Sequence, residues 1–268
     1  MRASDLVHLI QAAEPAIRIS VTDTKGSTPR EAGASMIVTE ARTIGTIGGG
    51  TLEFRALERA HDMLKSHQTT AETMELPLGP EIGQCCGGRV ALSLQPVDLT
   101  TLLEIHDQLR EQESRQPEIL IFGGGHVGTA LARALAPLPF RSRMVETRPD
   151  ILPDGLPVPS EILAMPEALV SQAKAGSAIV VLTHDHALDF MIISEAMQRD
   201  DLAYIGMIGS KTKRATFASH WLDKGGASEK LKELICPIGG SAVSDKRPEV
   251  IAAMVAAEIT QSLISFEV

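Results

Sequence analysis

Apolar and polar positions along the chain alternate with two periods, and the switch between them marks the elements. Leu6, Leu9, Ile10 and Ala13 fall at helical spacing and predict a helix over 3–13. Ala16 to Val21 predicts a short strand. Asp23 to Gly33 is a polar loop carrying the turn residues Gly26, Pro29 and Gly33. Ser35 to Thr39 and Thr43 to Ile47 predict strands around a turn. Gly48-Gly49-Gly50 then opens a helix through about His67. A second strand pair is expected at 71–77 and 89–95. Residues 99–115 predict a helix with Leu102, Leu103, Ile105 and Leu109 on its apolar face, closed by Gln116-Pro117.

The second half has a different rhythm. Glu118 to Phe122 is a short apolar run that meets Gly123-Gly124-Gly125-His126-Val127-Gly128, and an Ala/Leu-rich helix continues to about Ala136. Strand-like and helix-like segments then alternate: strand 142–146, helix 166–174, strand 177–182, helix 186–198, strand 202–206, helix 210–223. A last helix begins near Pro248, a residue suited to a first turn. Such alternation implies a parallel sheet covered on both faces. The expected fold is therefore α/β. A small N-terminal α/β domain covers 1–98, a helical connector 99–116, and a C-terminal Rossmann-like doubly wound parallel-sheet domain 117–268.

Composition narrows the chemistry. With 44% hydrophobic and 22% charged residues, the 268-residue chain can build a core with ease. Aromatics are only 3%, which argues against a stacking platform for single-stranded nucleic acid, and a net charge of −9 argues against nonspecific polyanion binding. No apolar run approaches the ~18 residues of a membrane span. Met1 to Ile10 contains Asp5 and His8 and lacks the apolar core of a signal peptide. Three cysteines are an odd number and do not make a disulfide framework, and reduced thiols suit a cytoplasmic location.

Two of those three cysteines are adjacent, in Gly83-Gln84-Cys85-Cys86-Gly87-Gly88, with Arg89 following. They read either as small buried hydrophobes in a turn or as a reactive, ligand-binding sulfur site, where a neighbouring cation favours the thiolate. A vicinal disulfide is a third reading, since such a strained bond is easily reduced. Only Cys236 remains as another thiol and no C-x-x-C spacing is present, so zinc is not expected. The pair is expected to face the cleft between the domains.

The Gly123-x-Gly125-x-x-Gly128 run follows a strand and opens a helix, the context a dinucleotide loop requires. Gly123 would make the tight turn, Gly125 would admit phosphate to the backbone, and Gly128 would allow close packing of helix on sheet. Glu146 stands where an acidic residue binds a ribose hydroxyl. His126 is either a solvent-facing helix residue or a phosphate contact. Thr183-His184-Asp185-His186 lies beyond a strand's carboxyl end. There Asp185 reads as a helix cap in preference to a metal ligand, and His184 as a polar contact for a ligand. Ser210 is expected to cap the next helix. Lys211, Lys213 and Arg214 form a basic cluster that is either phosphate-facing or a solvated helix face. In the first half, Ser27, Thr28 and Arg30, and separately Gly49, Gly50 and Glu53, stand in glycine-bearing loops able to grip a phosphate or a pterin edge. Glu53 also reads as a simple partner of its helix dipole.

Together these residues resemble the xanthine dehydrogenase accessory protein family, XdhC/CoxI. The motifs are Gly-Ser-Thr-Pro-Arg at 26–30, Gly-Ala-Ser-Met at 33–36, Ile-Gly-Gly-Gly-Thr-Leu-Glu at 47–53 and Gly-Gln-Cys-Cys-Gly-Gly at 83–88. Gly-Gly-Gly-His-Val-Gly at 123–128, Thr-His-Asp-His-Ala-Leu-Asp at 183–189 and Ile-Gly-Ser-Lys-Thr-Lys-Arg at 208–214 complete the set. Cys236-Pro-Ile-Gly239 and Pro248-Glu-Val-Ile-Ala resemble the xanthine dehydrogenase branch, whereas Gly240-Ser-Ala-Val-Ser departs from the pattern. The resemblance implies a chaperone that binds and protects molybdenum cofactor, supports its sulfuration and inserts it into the molybdenum subunit of xanthine dehydrogenase. It implies a maturation factor rather than a turnover enzyme, with a cysteine desulfurase as sulfur donor and Cys85 or Cys86 as the thiol that contacts molybdenum or relays sulfur. A homodimer is expected from prevalence alone. The competing reading is an NAD(P)-dependent oxidoreductase or a nucleotide-regulated thiol protein. Glu146 favours NAD, but no hydride-transfer pair stands out.

Overall fold

A computed structural model describes residues 1–78, 87–240 and 243–266, which fall into two units, Met1–Gln112 and Glu113–Val268. Among the described residues no helix is long and apolar enough to cross a membrane.

The first unit is built on five antiparallel strands. They are β1 (Ala16–Lys25), β2 (Ser35–Val38), β3 (Thr43–Gly45), β4 (Glu72–Pro77) and β5 (Arg89–Val97), in the order β3-β2-β1-β5-β4. Alternation along β1 sends Ile17, Ile19 and Val21 to one face. There they meet Leu52, Ala56, Ala60 and Met63 of α2 (Gly50–Lys65). Each fully buried Leu or Met of this kind contributes about 1.5–3 kcal/mol. Ile37, Ala16 and Val97 face the other way and pack on Leu6 and Leu9 of α1 (Ala3–Ala12) and on Leu102 and Ile105 of α3 (Leu99–Arg115). The helix expected as a connector thus supplies side chains to the first unit's core.

β1 is longer than its apolar run. After a register shift between Val21 and Asp23 it continues through Lys25, with Asp23, Thr24 and Lys25 opposite Ala91, Val90 and Arg89 of β5. The ladder carries this half of the strand while its side chains face solvent, so no hydrophobic pattern announces it.

The second unit contains six parallel strands: β6 (Glu118–Phe122), β7 (Arg141–Glu146), β8 (Ser160–Ile162), β9 (Ala178–Val181), β10 (Tyr204–Met207) and β11 (Leu234–Ile235). Their order is β11-β10-β9-β6-β7-β8. Chain direction across the sheet reverses between β6 and β9, as in doubly wound nucleotide-binding sheets. β6, β9 and β10 are buried at every position, as strands covered on both faces must be. α4 (His126–Leu135) and α7 (Pro248–Ile264) cover one face through Leu131, Leu135, Val255 and Ile259. α5 (His186–Met197) and α6 (Lys211–Asp223) cover the other through Ile192, Ile193, Phe217 and Trp221.

Two local departures are physical. Residues 166–172 form a 3-10 helix entered at Pro166, not an α-helix. β8 and β11 have three and two residues, too few to print a periodicity, and exist because they pair at the sheet's edges with β7 and β10. Tyr204 of β10 donates to the Glu258 carboxylate of α7 at 3.0 Å, and Gly239 N–H donates to the same oxygen at 2.8 Å. One carboxylate thereby ties helix, strand and the loop after β11. Burial, reinforced by Glu258, pushes the Tyr204 phenol far above its ordinary range.

Candidate functional site

The chain turns from β6 into α4 at the point where the sheet order reverses. Gly123 has φ of +113°, and a Cβ there would lie 2.5 Å from the Leu182 carbonyl oxygen at the end of β9. A Cβ at Gly128 would lie 1.9 Å from the Gly123 carbonyl oxygen. These two glycines let strand and helix close on one another. Gly125 differs: among the described residues, no atom beyond its own neighbouring stretch of chain lies within 4 Å of its Cβ position. The space is open for a ligand to approach the backbone.

α5 and α6 start with side-chain caps. Asp185 accepts from Ala187 N–H at 2.8 Å, and Ser210 accepts from Lys213 N–H at 3.2 Å. α4 has no side-chain cap, so the N–H groups of its first turn keep the donor capacity that helix geometry leaves unmet. They border a cavity of about 760 Å³. Gly124, Gly125 and His126 line it, with His184 contributed from beyond the end of β9. Thr129 and Arg133 line it from α4. Arg148, Asp150 and Ile151 line it from the segment after β7, and Glu249 from the start of α7. The sequence-predicted Gly125, His126 and His184 therefore come together around one cavity, with His126 and His184 exposed.

Glu146 does not reach that cavity as a free acceptor. Its carboxylate is 3% exposed and takes Gly124 N–H at 2.9 Å, Thr147 N–H at 2.8 Å and Arg148 N–H at 3.1 Å. The Thr147 hydroxyl donates at 3.2 Å, and Arg148 adds Nε at 3.1 Å and Nη2 at 3.0 Å. Burial alone would raise this carboxyl. The Arg148 guanidinium and the three backbone N–H groups outweigh it and hold the group down at about 2.

The basic cluster on α6 turns inward. Lys213 pairs with the fully buried Asp189 of α5 and donates to the Ile208 carbonyl at 2.9 Å. Asp189 also accepts Thr183 N–H at 3.1 Å and the Thr183 hydroxyl at 2.6 Å. Arg214 donates to the Leu231 carbonyl at 2.9 Å. Nearby, Cys236 is buried, and burial pushes its thiol up despite the cations of Lys213 and Arg214. Among the described residues no group of three or more His, Cys, Asp and Glu is placed to hold a metal.

In the first unit the separate glycine loops converge. A Cβ at Gly26 would lie 3.2 Å from the Gly88 Cα, and one at Gly48 would lie 2.6 Å from Pro29 Cβ. Ser27 bridges to Gly87. Ser27 and Arg30 are exposed there. The Gly48–Gly50 loop already holds an anion of the chain's own. Glu53 accepts Thr46 Oγ1–H at 2.5 Å, Ile47 N–H at 3.0 Å and Gly49 N–H at 3.1 Å. Burial would raise the Glu53 carboxyl, but these bonds together lower it. Leu78 N–H donates to the Gly88 carbonyl at 2.7 Å, and Gly87 N–H donates to the Leu78 carbonyl at 2.8 Å. Cys85 and Cys86 fall between these residues, in 79–86, outside the described residues.

Both halves of this architecture match one family. Residues 119–259, just over half the chain, match the family described as the XdhC Rossmann domain, and residues 9–75 match the XdhC and CoxI family. The chain belongs to the XdhC and CoxI family. A curated relative, the uncharacterized protein YqeB of Escherichia coli (strain K12), is 25% identical over 257 residues, covering 92% of this chain and 43% of that protein. The chain thus spans less than half of that relative's length. A crystal structure described as a xanthine dehydrogenase from Bacillus halodurans superimposes with a TM-score of 0.80 at 18% identity, covering 100% of this chain and 97% of that one. A likeness at that identity establishes the shared fold.

Several lining residues of this XdhC-type cavity lie beyond the glycine motif. Arg148 stands two residues after Glu146, and Arg133 lies seven after His126, a spacing that returns to the same helix face. That spacing was the available signal for Arg133. For Arg148 the sequence shows the neighbour but not the direction of the side chain. Asp150, Ile151 and Glu249 become neighbours of the loop only through the fold.

Proposed function

We propose that the protein is a maturation factor for xanthine dehydrogenase. In this reading it carries molybdenum cofactor as cargo, shields it, supports its sulfuration and delivers it to the molybdenum subunit of the apoenzyme. Membership of the XdhC and CoxI family through both units is the observation that carries the reading. The 26–30 loop supports it: Gly26 and Ser27 meet Gly87–Gly88, which directly follow Cys85-Cys86 in the sequence, and Pro29 meets Gly48. Ser27 and Arg30 are the exposed polar groups there for a phosphate or pterin edge. Cys85 or Cys86, as thiolate, serves as the metal ligand or as the sulfur relay. In the relay a thiolate attacks the terminal sulfur of a desulfurase persulfide, gains a persulfide of its own, and releases the donor's cysteine thiolate.

The test is to load the protein anaerobically and measure bound molybdenum and pterin in the parent, in Cys85→Ala and in Cys86→Ala. The parent is expected to retain both, and at least one variant to lose them while remaining folded. An intact parent that holds no cofactor sinks the proposal.

A second reading concerns the second unit and has its own observation. The uncapped first turn of α4, the open Gly125 and the cavity at the order reversal of the sheet suit a nucleotide's phosphates. In this reading the second unit binds a nucleotide that regulates or stabilises the carrier. Saturable binding of a nucleotide to the purified protein checks it.

A further inference from the structure

Glu146 occupies the position at which an acidic residue accepts a ribose hydroxyl of NAD, yet its hydrogen bonding is already complete. A carboxylate offers about four lone-pair sites. Six donors converge on this one at 2.8–3.2 Å, and the side chain is 3% exposed. A ribose hydroxyl arriving here finds no open acceptor.

Arg148 is in the opposite situation. Its Nε and Nη2 are held on Glu146, which fixes the plane of the guanidinium. The side chain is 36% exposed and lines the cavity. Its Nη1 makes no hydrogen bond to any described residue. The outer edge of the fork is thus preorganised toward the ligand space, the arrangement that binds phosphate with two parallel bonds. Arg133 adds a second cation from α4, and it too has no ion pair among the described residues. Asp150 and Glu249 line the same cavity. Their charges offset those of the arginines.

We propose that this cavity binds a nucleotide carrying a phosphate on its adenosine ribose, the NADP class in preference to the NAD class. The pyrophosphate rests on the first turn of α4, the ribose phosphate is gripped by Arg148, and Glu146 is the positioning residue that holds Arg148 in place. This rests on the nucleotide reading of the second unit and specifies it.

The test uses the full-length protein and calorimetric titration with NADPH, NADH, adenosine 2′,5′-bisphosphate and AMP. NADPH is expected to bind about tenfold or more tightly than NADH, and the bisphosphate to exceed AMP by a similar factor. Arg148→Gln removes the gap and leaves the NADH affinity in place. Glu146→Gln narrows the ratio of the two affinities, whereas a merely structural loss weakens both alike. The two fragments read the same preference in the unaltered protein, so a variant that fails to fold does not decide the matter. NADH binding as tight as NADPH overturns the proposal, and its loss in Asp150→Asn then assigns the ribose to Asp150. An Arg148→Gln protein that loses both dinucleotides equally overturns it as well. Binding of none of the four ligands overturns the nucleotide reading itself.

Discussion

Lys213, on α6, is tied to the fully buried Asp189 of α5, and this ion pair joins the carboxyl ends of β9 and β10. Asp189 is also anchored by Thr183, so its charge has three donor groups around it. Removing one partner leaves the other buried and uncompensated. Lys213→Met is expected to lower stability by about 3–5 kcal/mol. The double change Lys213→Met with Asp189→Leu is expected to recover much of that loss. Urea denaturation of the three proteins measures both effects, and a double change no better than the single one contradicts this account of the pair.

Gly128 and Gly125 make different demands. Gly128→Ala drives a methyl into the Gly123 carbonyl and is expected to cost about 1–3 kcal/mol of stability. Gly125→Ala meets open space at an ordinary φ of −66° and is expected to cost less than about 1 kcal/mol. Its expected effect is on the ligand, as weakened nucleotide binding. Thermal unfolding and titration on the same two variants separate the roles.

Glu146 gives the protein a defined response to acid. Its folded carboxyl lies at about 2 against an ordinary 4.5. Above 4.5 the carboxylate is ionised in both folded and unfolded chains, and its stabilising effect is complete. As pH falls from about 4.5 toward about 2 the unfolded chain binds the proton first and that contribution disappears. The stability difference between the parent and Glu146→Gln is therefore expected to shrink across this interval. Denaturation midpoints taken at intervals of pH between 6 and 2 check it, and a constant difference argues against the assignment.

Glu53 acts as a built-in anion for the Gly48–Gly50 loop. Glu53→Ala strips the partner from Ile47 N–H and Gly49 N–H and is expected to cost about 1–3 kcal/mol. Inorganic phosphate is expected to restore part of that loss in the variant while changing the parent little. Melting curves with and without phosphate give the comparison.

The parallel sheet was legible because Ile119–Phe122 of β6 and Ala178–Val181 of β9 are short apolar runs followed closely by glycine or threonine, and β10 follows at the next turn of the alternation. The caps at Asp185 and Ser210 were legible because short polar side chains before a helix have one dominant use. The cluster of Gly125, His126 and His184 followed from placing each beyond a strand's carboxyl end. Other features depend on side-chain direction, which residue type does not encode. Lys213 and Arg214 resemble a solvated face, yet the fold supplies Asp189 and the Leu231 carbonyl beneath them. Glu146 has the position of a ribose acceptor, but Arg148 and the Gly124 N–H claim it. The convergence of the 26–30 and 48–50 loops joins residues some twenty positions apart, and the long polar half of β1 joins residues whose partners lie on β5.

The position of β6 has a consequence for the order in which the chain is made. It is the first strand of its sheet to be synthesised and also a central one. One neighbour comes soon, as Ile119 pairs with Ser142, but the other pairing joins Ile119 to Ala178 much further along. Until β9 emerges, one edge of a strand that is apolar from Ile119 to Phe122 stays without its partner. Parallel pairing of this kind closes slowly, and an open apolar edge is a template for intermolecular association. A nascent second unit therefore passes through an interval of exposure during translation that ends only when residues beyond Ala178 have left the ribosome.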